Sequence, residues 1–133
     1  MSGVRVQVTL TNACDEALAR RGFLTQEQVH TCNIEALIDT ETIRTRLPAQ
    51  IVQQLGLAIV GQSKVEDVDD LVDLTEPIDI EINGRRTTEE VLASGTEVLI
   101  GRTALARLDL LVDAINQEII ANPAHPNGPV LRV

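Results

Sequence analysis

Aromatic side chains are almost missing from this sequence, which has one Phe, no Trp and no Tyr. A core built without rings must be filled by Val, Ile, Leu and Ala, and the β-branched members of that set favour strands. Cysteine is scarce as well. Cys14 and Cys32 fit a reducing compartment, and two thiols alone neither demand nor exclude a disulfide. His30 stands near Cys32, yet neither the Cys-x-x-Cys nor the His-x₃-His spacing of zinc sites is present. Two small buried or half-buried thiols and a surface histidine are the plainer reading, and no metal or other cofactor is expected. No apolar run approaches the roughly 18 to 20 residues that a membrane span needs. The start, Met1-Ser2-Gly3-Val4-Arg5, lacks the apolar stretch of a signal peptide. Positive charge is in deficit, with 11 Lys and Arg against 20 Asp and Glu and a net charge of −9. Such a chain repels phosphate backbones. The expectation is a cytoplasmic protein with neither nucleic acid nor membrane as partner.

What is present suffices for one packed domain over residues 1–133: 44% of the 133 residues are hydrophobic, and the length leaves little room for two units. Val4 to Leu10 alternates apolar and polar, the pattern of a half-buried strand. Asp15 to Arg21 reads as a short helix, opened by acids, closed by arginines and followed by Gly22. Glu27 to Asp39 is a second extended segment whose end turns continuously apolar. After a polar loop, Leu47 to Leu57 looks helical, with Pro48 in its first turn and Gly56 at its end. Lys64 to Leu74 is acidic, and its apolar positions fit a helical stripe as well as a strand. Pro77 to Ile82 alternates cleanly, and Asn83-Gly84 is the strongest hairpin signal in the chain. Glu97 to Ile100 reads as a buried strand ended by Gly101, then Thr103 to Leu108 as a helix capped by Thr103. Asp109 to Asp113 and Gln117 to Ala121 form a last hairpin. The tail from Asn122 to Pro129 is irregular, and Val130 to Val133 suits an edge strand. The sum is a mostly-β domain, a partly closed barrel with one or two short helices.

Ala36-Leu37-Ile38-Asp39-Thr40 is an apolar strand that delivers an acid to a loop, with Leu47-Pro48 a little further on. It resembles the active-site strand of the retropepsin-like aspartic proteases, where Asp-Thr/Ser-Gly follows Ala-Leu-hydrophobic. Val98-Leu99-Ile100-Gly101-Arg102 looks like the second signature of that family, two hydrophobic residues and a glycine before the C-terminal helix. The resemblance covers nearly the whole chain. It extends to bacterial single-domain members with the same frame, including the Asn122-Pro123-Ala124-His125-Pro126 tail. It implies a retropepsin-like acid-protease β-barrel and cleavage of a peptide or protein substrate. Aspartic proteolysis needs two carboxylates sharing one proton, one acting as base on a water and one as acid toward the scissile carbonyl. Only one Asp-Thr motif exists here, so the resemblance implies a twofold homodimer with Asp39 of each subunit across the axis. It also implies that Thr40 braces the two loops, and that Glu41, Thr42, Gly101 and Arg102 line the substrate cleft.

Glu41 stands where that motif has glycine, the residue that turns tightly without Cβ strain and lets substrate lie close. Two copies of Asp39 and Glu41 would put four carboxylates in one cleft. At about 5 Å and an effective dielectric near 20, one like-charge pair costs roughly 3 kcal/mol. Arg44, Arg46 or Arg102 can relieve that repulsion by pairing with Glu41, or Glu41 can simply point to water. The stretch from Gly61 to Leu74, matching the family's glycine-rich flap, has no glycine after Gly61 and carries Glu66, Asp67, Asp69, Asp70 and Asp73. An ordinary solvated acidic face is the plain reading. Three functions follow: a working homodimeric endopeptidase, a protease-fold binding module without catalysis, and a small β-barrel interaction domain of other origin.

Overall fold

The computed structural model describes residues 3–65 and 68–126. Glu66, Asp67 and the end of the tail, with the expected edge strand Val130 to Val133, lie outside the described residues. The elements run β1 (Val4–Asn12), α1 (Ala13–Arg20), β2 (Thr31–Ile38), β3 (Arg46–Leu47), α2 (Ala49–Gln54), β4 (Ile59–Val65), β5 (Val68–Thr75), β6 (Ile78–Ile82) and β7 (Arg85–Glu89). They continue as β8 (Leu92–Ala93), β9 (Leu99–Ile100), α3 (Arg102–Leu108), β10 (Leu110–Asp113) and β11 (Glu118–Ala121). Among the described residues, nine strands form one curled sheet in the order β4-β5-β8-β3-β9-β2-β1-β6-β7, and β10 and β11 form a separate hairpin.

The alternation in the first strand sends Val4, Val8 and Leu10 into the core, because successive side chains of a strand point to opposite faces. β1 pairs antiparallel with β2 from Val4↔Ile38 to Thr11↔Thr31, and with β6 on its other side. Asn12 ends β1 and caps α1, its side chain accepting from the Asp15 amide. The same side chain donates to the Leu55 carbonyl at 2.9 Å, which ties α1 to the end of α2. β2 is shorter than the extended segment read from sequence, because a 3₁₀ turn at Gln26–Gln28, closed by Thr25, precedes it.

Of the acidic segment whose periodicity fitted two structures, Lys64 and Val65 end β4 and Val68 to Leu74 lie in β5. β5 pairs antiparallel with β4 at the sheet edge, and that pairing satisfies backbone groups that a lone strand would leave to water. β6 and β7 form the expected hairpin. Asn83 and Gly84 both have positive φ, 51° and 80°, as a two-residue turn matching strand twist requires. Ile78, Ile80 and Ile82 all face inward, fully buried. Burying each such side chain contributes roughly 1.5–3 kcal/mol. The single aromatic residue takes no part in this aliphatic core: Phe23 is 73% exposed.

Two parallel pairings set the position of the site. β2 lies parallel to β9, with Leu37↔Leu99 and Ile38↔Ile100, and β3 lies parallel to β8. β9 covers only the end of the strand read from sequence, since Glu97 turns out to solvent and meets Arg5 at 2.8 Å. α3 begins one residue earlier than expected, with Gly101 rather than Thr103 at its cap position. Pro48 likewise sits at the cap of α2, just before its first turn.

Candidate active site

The parallel β2–β9 pairing is extended by two further backbone bonds, Leu37 N–H to the Val98 carbonyl at 2.9 Å and Asp39 N–H to the Ile100 carbonyl at 3.0 Å. Asp39 is therefore fixed at the point where β2 leaves the sheet. Its half-buried carboxylate folds back on the loop that follows. Oδ1 accepts the Glu41 amide at 3.0 Å, and Oδ2 accepts the Thr42 hydroxyl at 2.6 Å. A short polar side chain that bonds its own backbone two residues on is the usual way to close such a turn. The effect is an acid whose orientation is set by its own loop.

That loop is clamped by the segment after β9. Arg102 N–H donates to the Thr42 carbonyl at 2.8 Å and Thr103 N–H to the Ile43 carbonyl at 3.0 Å. Gly101 N–H donates to the buried Thr45 hydroxyl at 3.1 Å. The Thr103 hydroxyl lies 3.1 Å from the Ile43 carbonyl and 3.0 Å from the Glu89 carboxylate. A Cβ on Gly101 would sit 2.6 Å from the Ile43 oxygen and 2.7 Å from the Arg44 carbonyl carbon. Gly101 has an ordinary φ of −88°. The glycine is thus required for close passage of two backbones rather than for a left-handed conformation.

Asp39, Thr42, Gly101 and the Arg102 backbone are brought together by this crossing. Thr40 and Glu41 are exposed on the loop, Thr42 and Gly101 are buried, and the Arg102 side chain is exposed. Glu41 takes the open alternative and faces solvent. Arg44 does not turn to it, donating instead to the Glu90 carbonyl at 3.0 Å. A cleft of about 230 Å³ opens at the acid, lined by Asp39, Thr40 and Glu41 together with Val112, Ala114 and Gln117 of the β10–β11 hairpin. Sequence reading missed that hairpin's part in the site, and the Thr42 and Thr45 hydroxyls as positioning groups. Nothing in the spacing marks the hairpin or Thr45, because their contacts join segments far apart in the chain; the Thr42 bond to Asp39 is local.

Larger cavities, about 340 and 440 Å³, gather around Glu16, Arg20 and Arg86, away from Asp39. There Arg86 meets Glu16 at 2.7 Å and Asp79 at 3.1 Å, binding α1 to the β6–β7 hairpin. Burial pushes the Glu16 carboxyl up, the neighbouring Asp79 adds to it, and Arg86 opposes both. The geometry there is that of an ion-pair network tying elements together. Both thiols are free. Burial raises the Cys32 thiol, and burial followed by Glu76 raises Cys14, which disfavours the thiolate form of each. His30 pairs with Asp15 at 2.6 Å, while Cys14 points to Glu76 at 3.5 Å.

Strand order, the parallel β2–β9 pairing and the glycine crossing define a retropepsin-like fold. The chain is similar to the crystal structure of the retroviral protease-like domain of Ddi1 from Leishmania major. The TM-score is 0.58 at 11% identity, over 99% of this chain and 96% of that one. It is also similar to the structure of the foamy viral protease-reverse transcriptase in complex with an RNA/DNA hybrid. There the TM-score is 0.50 at 13% identity over 78% of this chain, which spans 12% of that longer chain. At these identities the likeness is one of fold. No family model matches the sequence, and no curated protein does. Among the described residues no helix is long and apolar enough to cross a membrane.

Proposed function

We propose that this chain is one subunit of a homodimeric aspartic endopeptidase, a single-domain retropepsin-like protease acting on a peptide or protein in the cytoplasm, without a cofactor. The observation that carries the reading is the held carboxylate of Asp39: an acid at a strand end, oriented by the Glu41 amide and the Thr42 hydroxyl, on a loop locked to the Gly101 turn. A twofold axis beside that loop supplies the second Asp39. The pair shares one proton. The ionised member takes a proton from a water as its oxygen attacks the scissile carbonyl carbon, and the other member gives its proton to the carbonyl oxygen. Collapse of the tetrahedral intermediate breaks the C–N bond as a carboxyl proton passes to the departing nitrogen. Thr40 and Glu41 border the cleft where the peptide lies.

The test is cleavage of a diverse peptide library at mildly acidic pH by the wild type, Asp39→Asn and Glu41→Gly. Turnover by the wild type, lost in Asp39→Asn and blocked by a statine-type transition-state analogue, is the expected result. Cleavage that survives Asp39→Asn refutes the assignment. An inert wild type with an active Glu41→Gly variant identifies a silent protease-fold binding module, because Glu41 occupies the position where the motif has glycine.

A further inference from the structure

We infer that Glu89 is a positioning residue for the Asp39 loop, holding that loop more firmly when it carries a proton than when it is ionised. The inference rests on the protease reading above and adds to it a proton-dependent brace behind the reacting acid.

Glu89 ends β7 and is only 6% exposed. Acids are rarely buried so deeply without a partner of opposite charge, and among the described residues Glu89 has no ion pair. Its Oε1 lies 3.0 Å from the Thr103 hydroxyl. Its Oε2 is buried with no hydrogen-bond partner among the described residues. A buried polar group with one oxygen left unbonded calls for a reason.

The reason lies in the bonds each protonation state can make. The Thr103 hydroxyl has one proton and two neighbours that accept, Glu89 at 3.0 Å and the Ile43 carbonyl at 3.1 Å. An ionised Glu89 can only accept. It competes with Ile43 for that one proton, and a charged acceptor wins. A protonated Glu89 instead donates its O–H to the Thr103 oxygen, which leaves Thr103 free to donate to Ile43. In that state the Ile43 carbonyl takes two bonds, from the Thr103 hydroxyl and from the Thr103 amide at 3.0 Å. In the ionised state it keeps the amide alone. Ile43 directly follows Thr42, whose hydroxyl orients Asp39 at 2.6 Å, so what fixes Ile43 also fixes the acid.

The charged groups on neighbouring elements are placed elsewhere. Arg107 of α3 donates to the Thr88 carbonyl at 2.8 Å, and Arg44 of the Asp39 loop to the Glu90 carbonyl at 3.0 Å. Arg46 of β3 stands in register with Leu92 of β8 and forms no ion pair with Glu89. Asp79 of β6 pairs in register with Thr88, whose side chain lies on the opposite face of β7 from that of Glu89.

The test compares wild type with Glu89→Gln, whose amide donates to Thr103 at every pH, and with Thr103→Val, which removes the hydroxyl. In wild type the Thr103 amide signal in a proton–nitrogen NMR spectrum should move through one step as pH rises, and the step should vanish in Glu89→Gln. In peptide kinetics, kcat of Glu89→Gln should match wild type at acidic pH and exceed it about fivefold at the alkaline end, the effect of one hydrogen bond, with KM unchanged. Thr103→Val should stay about fivefold below Glu89→Gln at every pH; Glu89→Gln decides alone if that variant does not fold. A Thr103 step that persists in Glu89→Gln overturns the inference, as does a kcat ratio between Glu89→Gln and wild type that is constant across pH. A step lost in Glu89→Gln, in a protein that cleaves no peptide, supports the brace and counts against the protease reading.

Discussion

Gly101→Ala adds a single carbon where the chain has no room for one. The new Cβ would lie 2.6 Å from the Ile43 oxygen, 2.7 Å from the Arg44 carbonyl carbon and 2.9 Å from the Ile43 carbonyl carbon. All three are backbone atoms, so no side chain can swing aside. The two segments must separate, which strains the Arg102-to-Thr42 and Thr103-to-Ile43 bonds and the Gly101-to-Thr45 bond. Overpacking costs roughly 1–3 kcal/mol, and weakening one or two of these bonds adds about 1 kcal/mol each. A loss of about 3 kcal/mol is expected, a large part of the roughly 5–15 kcal/mol that holds a domain together. In urea, with an m-value of roughly 1.5 kcal/mol/M, the midpoint should fall by about 2 M. Gly61→Ala is the control, since a Cβ there meets nothing within 4 Å; it should stay within about 0.5 kcal/mol of wild type. A Gly101→Ala midpoint as close to wild type as the control would show that the loop is not clamped, and the argument for how Asp39 is positioned would fall with it.

Two further substitutions probe the acid and the hairpin base. Thr42→Val keeps shape but removes the hydroxyl that donates to Asp39 Oδ2 at 2.6 Å. Stability should drop by about 1–2 kcal/mol in a denaturant titration, and kcat should fall more than KM changes; identical kinetics would sever Thr42 from the site. The Asp109 carboxyl is held below its ordinary value, first by the Asn122 side chain and then by His125, with Arg85 nearby. A carboxylate depressed by folding contributes stability that is present above its unfolded pKa of about 3.9 and disappears as pH falls through the lower folded value. Asp109→Asn should therefore lower the melting temperature at pH 5–7, and the gap from wild type should narrow below about pH 4. Parallel melting curves across that window would refute the assignment.

Much of the architecture could be read from local pattern. Alternation located β1 and β6, Asn83-Gly84 located a hairpin whose two turn residues do carry positive φ, and the acids and arginines around Ala17 located α1. Asp39 stood out because it ends an apolar strand before a polar loop, and Gly101 because it ends one before a helix. Other features were hidden for physical reasons. Lys64 to Leu74 carries a pattern that fits two periods, and only pairing with β4 decides for the strand. Thr103 looks like a helix cap from its neighbours, yet its amide and hydroxyl both reach Ile43, some 60 positions away. β3, β8 and β9 are two-residue strands, too short for any periodic signal.

The sequence by itself determined the aliphatic, strand-rich character of the domain, its acidic balance and the candidate acid at the end of β2, because each depends on residue type and near neighbours. Only the tertiary structure decided that Arg102 and Thr103 clamp the Asp39 loop, that two backbones pass at Gly101, and that the β10–β11 hairpin borders the same cleft. Those facts depend on which distant segments meet, and that is settled by the packing of the whole sheet and its core.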